Sequence, residues 1–332
     1  MRVRLTMVLT GVALLAGSTS AQAQCASGNT QDACQKAVDL FHFLTPQIST
    51  ALAGGAATIG QGGVLGGFPH WTLGVRASAV RGAFPKMDNV GFRTDGPVKT
   101  DFAIEKQFVP MATIDGSIGI FKGIPLGVTR VGGIDAILTA TYLPAAPEGG
   151  DISVSLPGGS TKFGGGIRVG LLQESILVPG VAFTYVQREL PAINVAATST
   201  VPVSGTTWPG YILINDLSLK TKGWRLSASK SFTAFGLQAG VGQDKYDNSG
   251  NYWVGIGAAQ PAITPTFQPV SNRMTRTNIY AGLSFNFFIG RLVAEVGRAS
   301  GGSMGALYNT FGGSNDAAKS RSYFSVGLRT GF

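Results

Sequence analysis

Lys319-Ser320-Arg321-Ser322-Tyr323-Phe324-Ser325-Val326-Gly327-Leu328-Arg329-Thr330-Gly331-Phe332 closes the chain, and its reading decides the fold. Phe324, Val326, Leu328 and Phe332 fall on one parity, while Tyr323, Ser325, Gly327, Arg329 and Gly331 fall on the other. A period of two sustained over this length is a β-strand. It is longer than most soluble strands, and no helical pattern nearby offers its apolar face a cover. The simplest sheet that keeps such a face outward is a closed transmembrane barrel, in which lipid does the covering.

Ser325-x-Gly327-x-x-Thr330-x-Phe332 resembles the C-terminal assembly signal of bacterial outer-membrane proteins, with Thr330 standing where an apolar residue is usual. That resemblance implies Ser325, Gly327 and Phe332 as signal residues, the barrel-assembly machinery as a partner, and the cell outer membrane as the location.

The same alternation recurs from Trp71 onward. Outward faces are read in Trp71 to Ala79, Ala112 to Ile120, Ile134 to Tyr142, Phe163 to Leu171, Val181 to Tyr185, Phe235 to Val241, Ile279 to Phe287 and Leu292 to Val296. A further strand carries Leu217 and Leu219 on one parity and Trp224, Leu226 and Ala228 on the other, which predicts a bulge near Gly223. With the closing strand this gives an all-β, antiparallel transmembrane barrel of about ten strands, twelve if Ala56–Leu65 or an external loop adds a hairpin. Long connections at 82–108, 144–160, 191–210, 246–271 and 299–318 alternate with short ones at 122–130, 173–180, 230–234 and 289–290. Outer-membrane barrels sort their loops in this way, short on the periplasmic side and long outside. Both chain ends are then expected on the periplasmic side.

The head of the chain has its own grammar. Arg2 and Arg4, an apolar run from Leu5 to Ala16 and Ala21-Gln22-Ala23 predict a secretory signal peptide over residues 1–23. Gln24 argues against lipidation of Cys25. Removing Arg2 and Arg4, with no acid among the first 23 residues, lowers the formal net charge from +9 to +7. The remaining Lys and Arg are scattered without a basic run, so no nucleic-acid partner is expected. The charge fits attraction to outer-membrane lipid, lipopolysaccharide or anionic solutes. Only 13% of residues are charged, and no apolar segment long enough for a membrane helix follows the signal. Cys25 and Cys34 are the two cysteines. In an oxidising compartment they predict a disulfide rather than a metal or redox site.

Residues 24–68 precede the barrel at 69–332. Val38, Phe41, Leu44, Ile48 and Leu52 recur at helical spacing, Thr30 or Asp32 is placed to cap, and Pro46 predicts a kinked pair of helices. Seven glycines between Gly54 and Gly67 follow. The segment is either a plug inside the barrel or a periplasmic helix pair stoppering its lower end.

Inward positions are mostly polar and include Arg76, Asp115, Asp135, Arg168, Arg225, Glu295 and Arg329, mostly within about six residues of a periplasmic turn. At about 3.4 Å per residue they form one lower belt, which either constricts a pore or pairs its charges across a filled interior. Ten strands about 4.8 Å apart and tilted about 40° enclose a radius of roughly 10 Å, too narrow for a wide porin channel. No enzyme is expected: the two histidines, His42 and His70, lie on the periplasmic side in this topology, away from the external sites where barrel hydrolases place theirs. Asp244, Asp247, Asn248 and Gly250 read as turn chemistry rather than a calcium loop, and Pro157–Lys162 as an external turn rather than a phosphate loop. No cofactor or metal is implied.

A helical, glycine-rich segment ahead of the first strand resembles the hatch of long-chain fatty-acid and hydrocarbon transporters. Those proteins have more strands and an Asn-Pro-Ala signature absent here, so no residue roles are carried across. Together with the polar lumen, the resemblance implies a passive channel or transporter for small solutes, hydrophobic ones among them. The alternative is a closed structural or adhesion barrel without transport.

Overall fold

The computed structural model describes residues 25–86, 91–144, 152–203, 205–257, 266–288 and 290–331. The expected signal peptide and Phe332 lie outside them. Ten strands make a closed wall: β1 (Trp71–Pro85), β2 (Ile104–Phe121), β3 (Ile134–Tyr142), β4 (Thr161–Leu172), β5 (Gly180–Glu189), β6 (Thr206–Ser231), β7 (Phe235–Ile256), β8 (Gln268–Phe287), β9 (Gly290–Ala299) and β10 (Arg321–Gly331). Each pairs antiparallel with the next, and β10 closes on β1, Val75 opposite Leu328 and Ala79 opposite Phe324. Two further strands extend the sheet outside the ring, Ile193–Val203 pairing with the loop-end half of β6 and Ile152–Ser155 pairing with Ile193–Val203, so that among the described residues the sheet holds twelve strands of which ten form the ring.

The wall is apolar outside. Leu73, Val75, Ile114, Leu138, Phe183, Leu226, Leu237, Ile279, Val296 and Val326 are all exposed, while the alternate positions are buried. This inverts a soluble protein and marks a lipid-facing surface. The apolar band has a sharp upper limit. The next outward positions toward the long loops are Arg81 on β1, Lys106 on β2, Gln187 on β5, Lys222 on β6, Gln243 on β7 and Arg298 on β9. About nine residues of tilted strand lie below that line, a height of roughly 25 Å, which matches a bilayer core. β6, β7 and β8, with 26, 22 and 20 residues, continue well past it.

That overshoot corrects several expectations. Residues 246–256 and 268–271 are strand rather than loop, and Asp244, Asp247, Asn248 and Gly250 sit within β7 rather than in a surface turn. The irregularity of β6 falls between Asn215 and Ser218, where Asp216 has φ 54°, and not at Gly223. Leu217 and Leu219 take the opposite parity to Trp224 because they point inward and are buried.

Among the described residues one helix lies inside the ring, α1 (Gln31–Ala53), followed by a glycine-rich segment to Gly67. α1 is continuous through Pro46 rather than a kinked pair. Eighteen of its 23 residues are buried, and its neighbours come from seven wall strands around the ring, so it occupies the lumen. Its N-terminal end faces the long loops: Asp32 accepts hydrogen bonds from the Arg93 and Val98 backbone N–H groups, both at 2.9 Å. The described chain therefore begins at the loop end, not the turn end, and descends through the barrel before β1 climbs back.

Candidate functional site

The helix is zipped to the wall by polar groups that the alternation turns inward. Gln47 both accepts from Ala83 N (2.7 Å) and donates to Ala83 O (3.1 Å). Ser49 donates to Asn248 (2.8 Å), Asn272 donates to Thr45 (2.7 Å), and Asp39 accepts twice from Asn309 (2.8 and 2.7 Å). Burying a polar group is costly unless it is bonded, and these bonds fix the rotation of the helix as well as its depth.

At the lower end of α1 the charged belt meets the helix. The last carbonyls of a helix have no partner within it and carry the negative end of its dipole. Here buried arginines supply donors both to the last helical turn and to the carbonyls of the residues that follow it. Arg225 reaches Ala53 O (2.7 Å) and Gly55 O (2.8 Å), and Arg76 reaches Ala56 O (2.8 Å). Arg188 reaches Ala57 O (2.6 Å) and, more weakly, Leu52 O (3.4 Å).

The carboxylates stand behind them. Arg76 and Arg188 share Asp115 at 3.2 and 3.6 Å, and Arg225 pairs with Asp244 at 2.8 Å. Arg168 lies directly opposite Asp135 on the neighbouring strand, 3.5 Å away, and also bonds Thr58. Glu295 accepts from Ala56 N (3.1 Å) and Gln238 (2.8 Å), Asp135 accepts from Leu65 N (3.1 Å), and Arg329 donates to Gly60 O (2.5 Å). Two glycines show how tightly the segment is fitted. At Gly55 (φ 84°) a Cβ would overlap the Glu295 carboxylate, and at Gly67 (φ 87°) it would meet the Lys122 backbone.

All seven belt residues anticipated above thus face the lumen, and all of them touch the plug or a partner that does. Two members went unread. Arg188 and Asp244 are each 1% exposed, and they share the inward parity of Thr184 and Gln238. Five belt arginines face four carboxylates, and the surplus cation, Arg329, is met by Gly60 O of the glycine-rich segment. Ion pairs alone would leave a buried charge, which is costly.

The remaining candidates separate cleanly. Cys25 and Cys34 are joined, with Cα atoms 6.0 Å apart, at the loop end. Ser325 is buried against Ser78 (2.9 Å), and Gly327 faces Ile59 across a gap too small for a side chain. His70 stands at the turn end with Nδ1 2.9 Å from Gly67 O, but His42 lies in α1, in the loop-end half of the lumen rather than on the periplasmic side. Below the plug a cavity of about 640 Å³ opens at the turn end, lined among others by Gln61, Glu174, Lys230, Arg291 and Arg329.

No protein-family model matches the chain, and no curated protein matches it. Among solved structures it is similar to in-vitro folded OmpT, an outer membrane protein of Vibrio cholerae, at 10% identity over 79% of this chain and 96% of that one, with a TM-score of 0.21. It is also similar to the outer membrane channel DcaP of Acinetobacter baumannii, at 10% identity over 79% and 96%, with a TM-score of 0.18.

Proposed function

We propose that this protein is an outer-membrane barrel that serves as a conduit for small solutes and is held closed by its own N-terminal segment. The short-turn end faces the periplasm and the long-loop end the outside. The observation that carries the reading is the construction of the plug. A ten-stranded barrel can fill its interior with wall side chains alone, whereas this one admits a whole helix, about 10 Å across, and grips it by hydrogen bonds to backbone carbonyls. A lumen wide enough for a helix passes a small solute once the helix shifts. A lumenal N-terminal segment is also what the hatch resemblance implies.

The second reading, a closed structural barrel, draws on the same belt, because so many buried bonds hold the plug firmly. Planar-bilayer conductance separates the two. Full-length protein is expected to be silent or to flicker, whereas Arg188→Ala and Arg225→Ala, which release the helix carbonyls, are expected to open resolvable steps and to raise solute flux into vesicles. Silence in both variants, with no flux, leaves the closed barrel as the answer.

A further inference from the structure

The turn-end mouth holds a pair of cations that the plug engages through a single hydrogen bond. Arg291 on β9 and Arg329 on β10 stand directly opposite one another in the strand register. Both point inward, since their neighbours Leu292 and Leu328 are on the exposed apolar face. Like charges directly opposite on one face of a sheet are destabilising, and guanidinium groups do not lose their protons to relieve it. Each of Arg76, Arg168, Arg188 and Arg225 has a carboxylate within ion-pair distance. Among the described residues, neither Arg291 nor Arg329 has one. Arg329 gives one N–H to Gly60 O, and Arg291 gives one to Ser231 Oγ at 3.1 Å, which leaves donors of both over for another partner.

The two line the same open cavity, about 640 Å³, with Lys230 and Glu174. Lys230 bonds Ser175 O and Ile176 O (2.9 Å), and Glu174 is engaged with Ser231 N at 2.5 Å. Three cations against one committed carboxylate leave the mouth electropositive. Two facing guanidinium forks match an oxyanion in geometry as well as charge.

We propose that this mouth binds a small oxyanion, a phosphate or carboxylate group, between Arg291 and Arg329 with Lys230 at the rim. The volume exceeds that of the ion itself, so the group is carried either by a soluble molecule in the periplasm or by a phospholipid headgroup at the inner rim. The inference does not depend on conduction: a silent barrel that binds phosphate here sinks the conduit and keeps the site.

The test uses full-length protein in an uncharged, phosphate-free detergent. In one arm, inorganic phosphate is titrated by calorimetry at fixed ionic strength. In the other, short-chain phosphatidylglycerol is added to the same micelles. Binding is expected to weaken at least about tenfold in Arg291→Gln, less in Arg291→Lys, and not at all in the outward-facing control Arg298→Gln. Lys230→Gln supplies a second variant at the rim should Arg291→Gln fold poorly by circular dichroism. Binding in the first arm identifies a soluble anion, and binding in the second arm alone identifies a headgroup. No binding in either arm, or equal binding by wild type, Arg291→Gln and Lys230→Gln, overturns the proposal.

Discussion

At the scale of single residues, Arg225 connects the most. It pairs with Asp244 at 2.8 Å, caps two carbonyls of the plug and is 1% exposed. Removing one partner of such a pair leaves the other buried and uncompensated, so Arg225→Ala is expected to cost about 3–5 kcal/mol, read by urea unfolding in lipid vesicles. Arg225→Met combined with Asp244→Leu is expected to recover part of that loss, because no charge is then stranded.

His42 supplies a pH dependence of known sign. Burial lowers its pKa below the ordinary 6.5, and Nδ1 is buried without a hydrogen-bond partner. The unfolded chain therefore binds the proton more readily than the folded one between that lowered value and about 6.5. Stability rises with pH through this window, is complete above about 6.5, and is lost as pH falls. His42→Phe should flatten the slope of the urea midpoint between about pH 7.5 and 5, and an unchanged slope would assign it to another group. Legibility at this scale followed the membrane. Belt residues flanked by outward apolar side chains are read by parity, whereas Arg188 and Asp244 are not, because the outward positions beside them, Gln187, Gln243 and Lys245, are polar. The strand goes on where the lipid stops, and only the lipid writes the pattern.

At the scale of elements, α1 is the case where local rules lost to tertiary contacts. Thr30 at its N-cap makes no side-chain cap bond, Pro46 interrupts the backbone ladder, and the hydrophobic face is shared with buried Asp32, Gln35, Lys36, Asp39 and Gln47. Thr45 and Thr50 donate back to Phe41 O and Pro46 O, both at 2.8 Å, and Gln47, the residue after the proline, donates to Phe43 O and to Ala83 O of the wall. The wall holds the turns on either side of it in place, and so a proline that would break a free helix does not break this one. A peptide of residues 25–67 is accordingly expected to be largely unstructured in water by circular dichroism, with helix appearing only in the assembled barrel. Strong helicity of the free peptide would mean the segment brings its own fold to the lumen. The misplaced bulge has the same origin. Leu217 and Leu219 are apolar because they cover the plug end of the lumen, and a sequence pattern does not say which side of a barrel wall a leucine covers.

At the scale of the whole molecule, the sharp upper edge of the apolar band makes two positions on one strand behave oppositely. Ala239 and Ser249 both face outward on β7, ten residues apart. Ala239 lies between Leu237 and Val241 inside the band, while Ser249 lies beyond Gln243, Lys245 and Asp247. An arginine near the bilayer centre of a barrel costs about 2–4 kcal/mol, and little near or past the interface. Ala239→Arg is therefore expected to lose that amount in vesicle unfolding and Ser249→Arg to lose almost nothing. Because both substitutions add the same side chain to the same strand, the difference between them reads only the depth of the lipid. Equal costs would mean that the bilayer covers the long strands as well, and that the row from Arg81 to Arg298 is not the edge of the membrane.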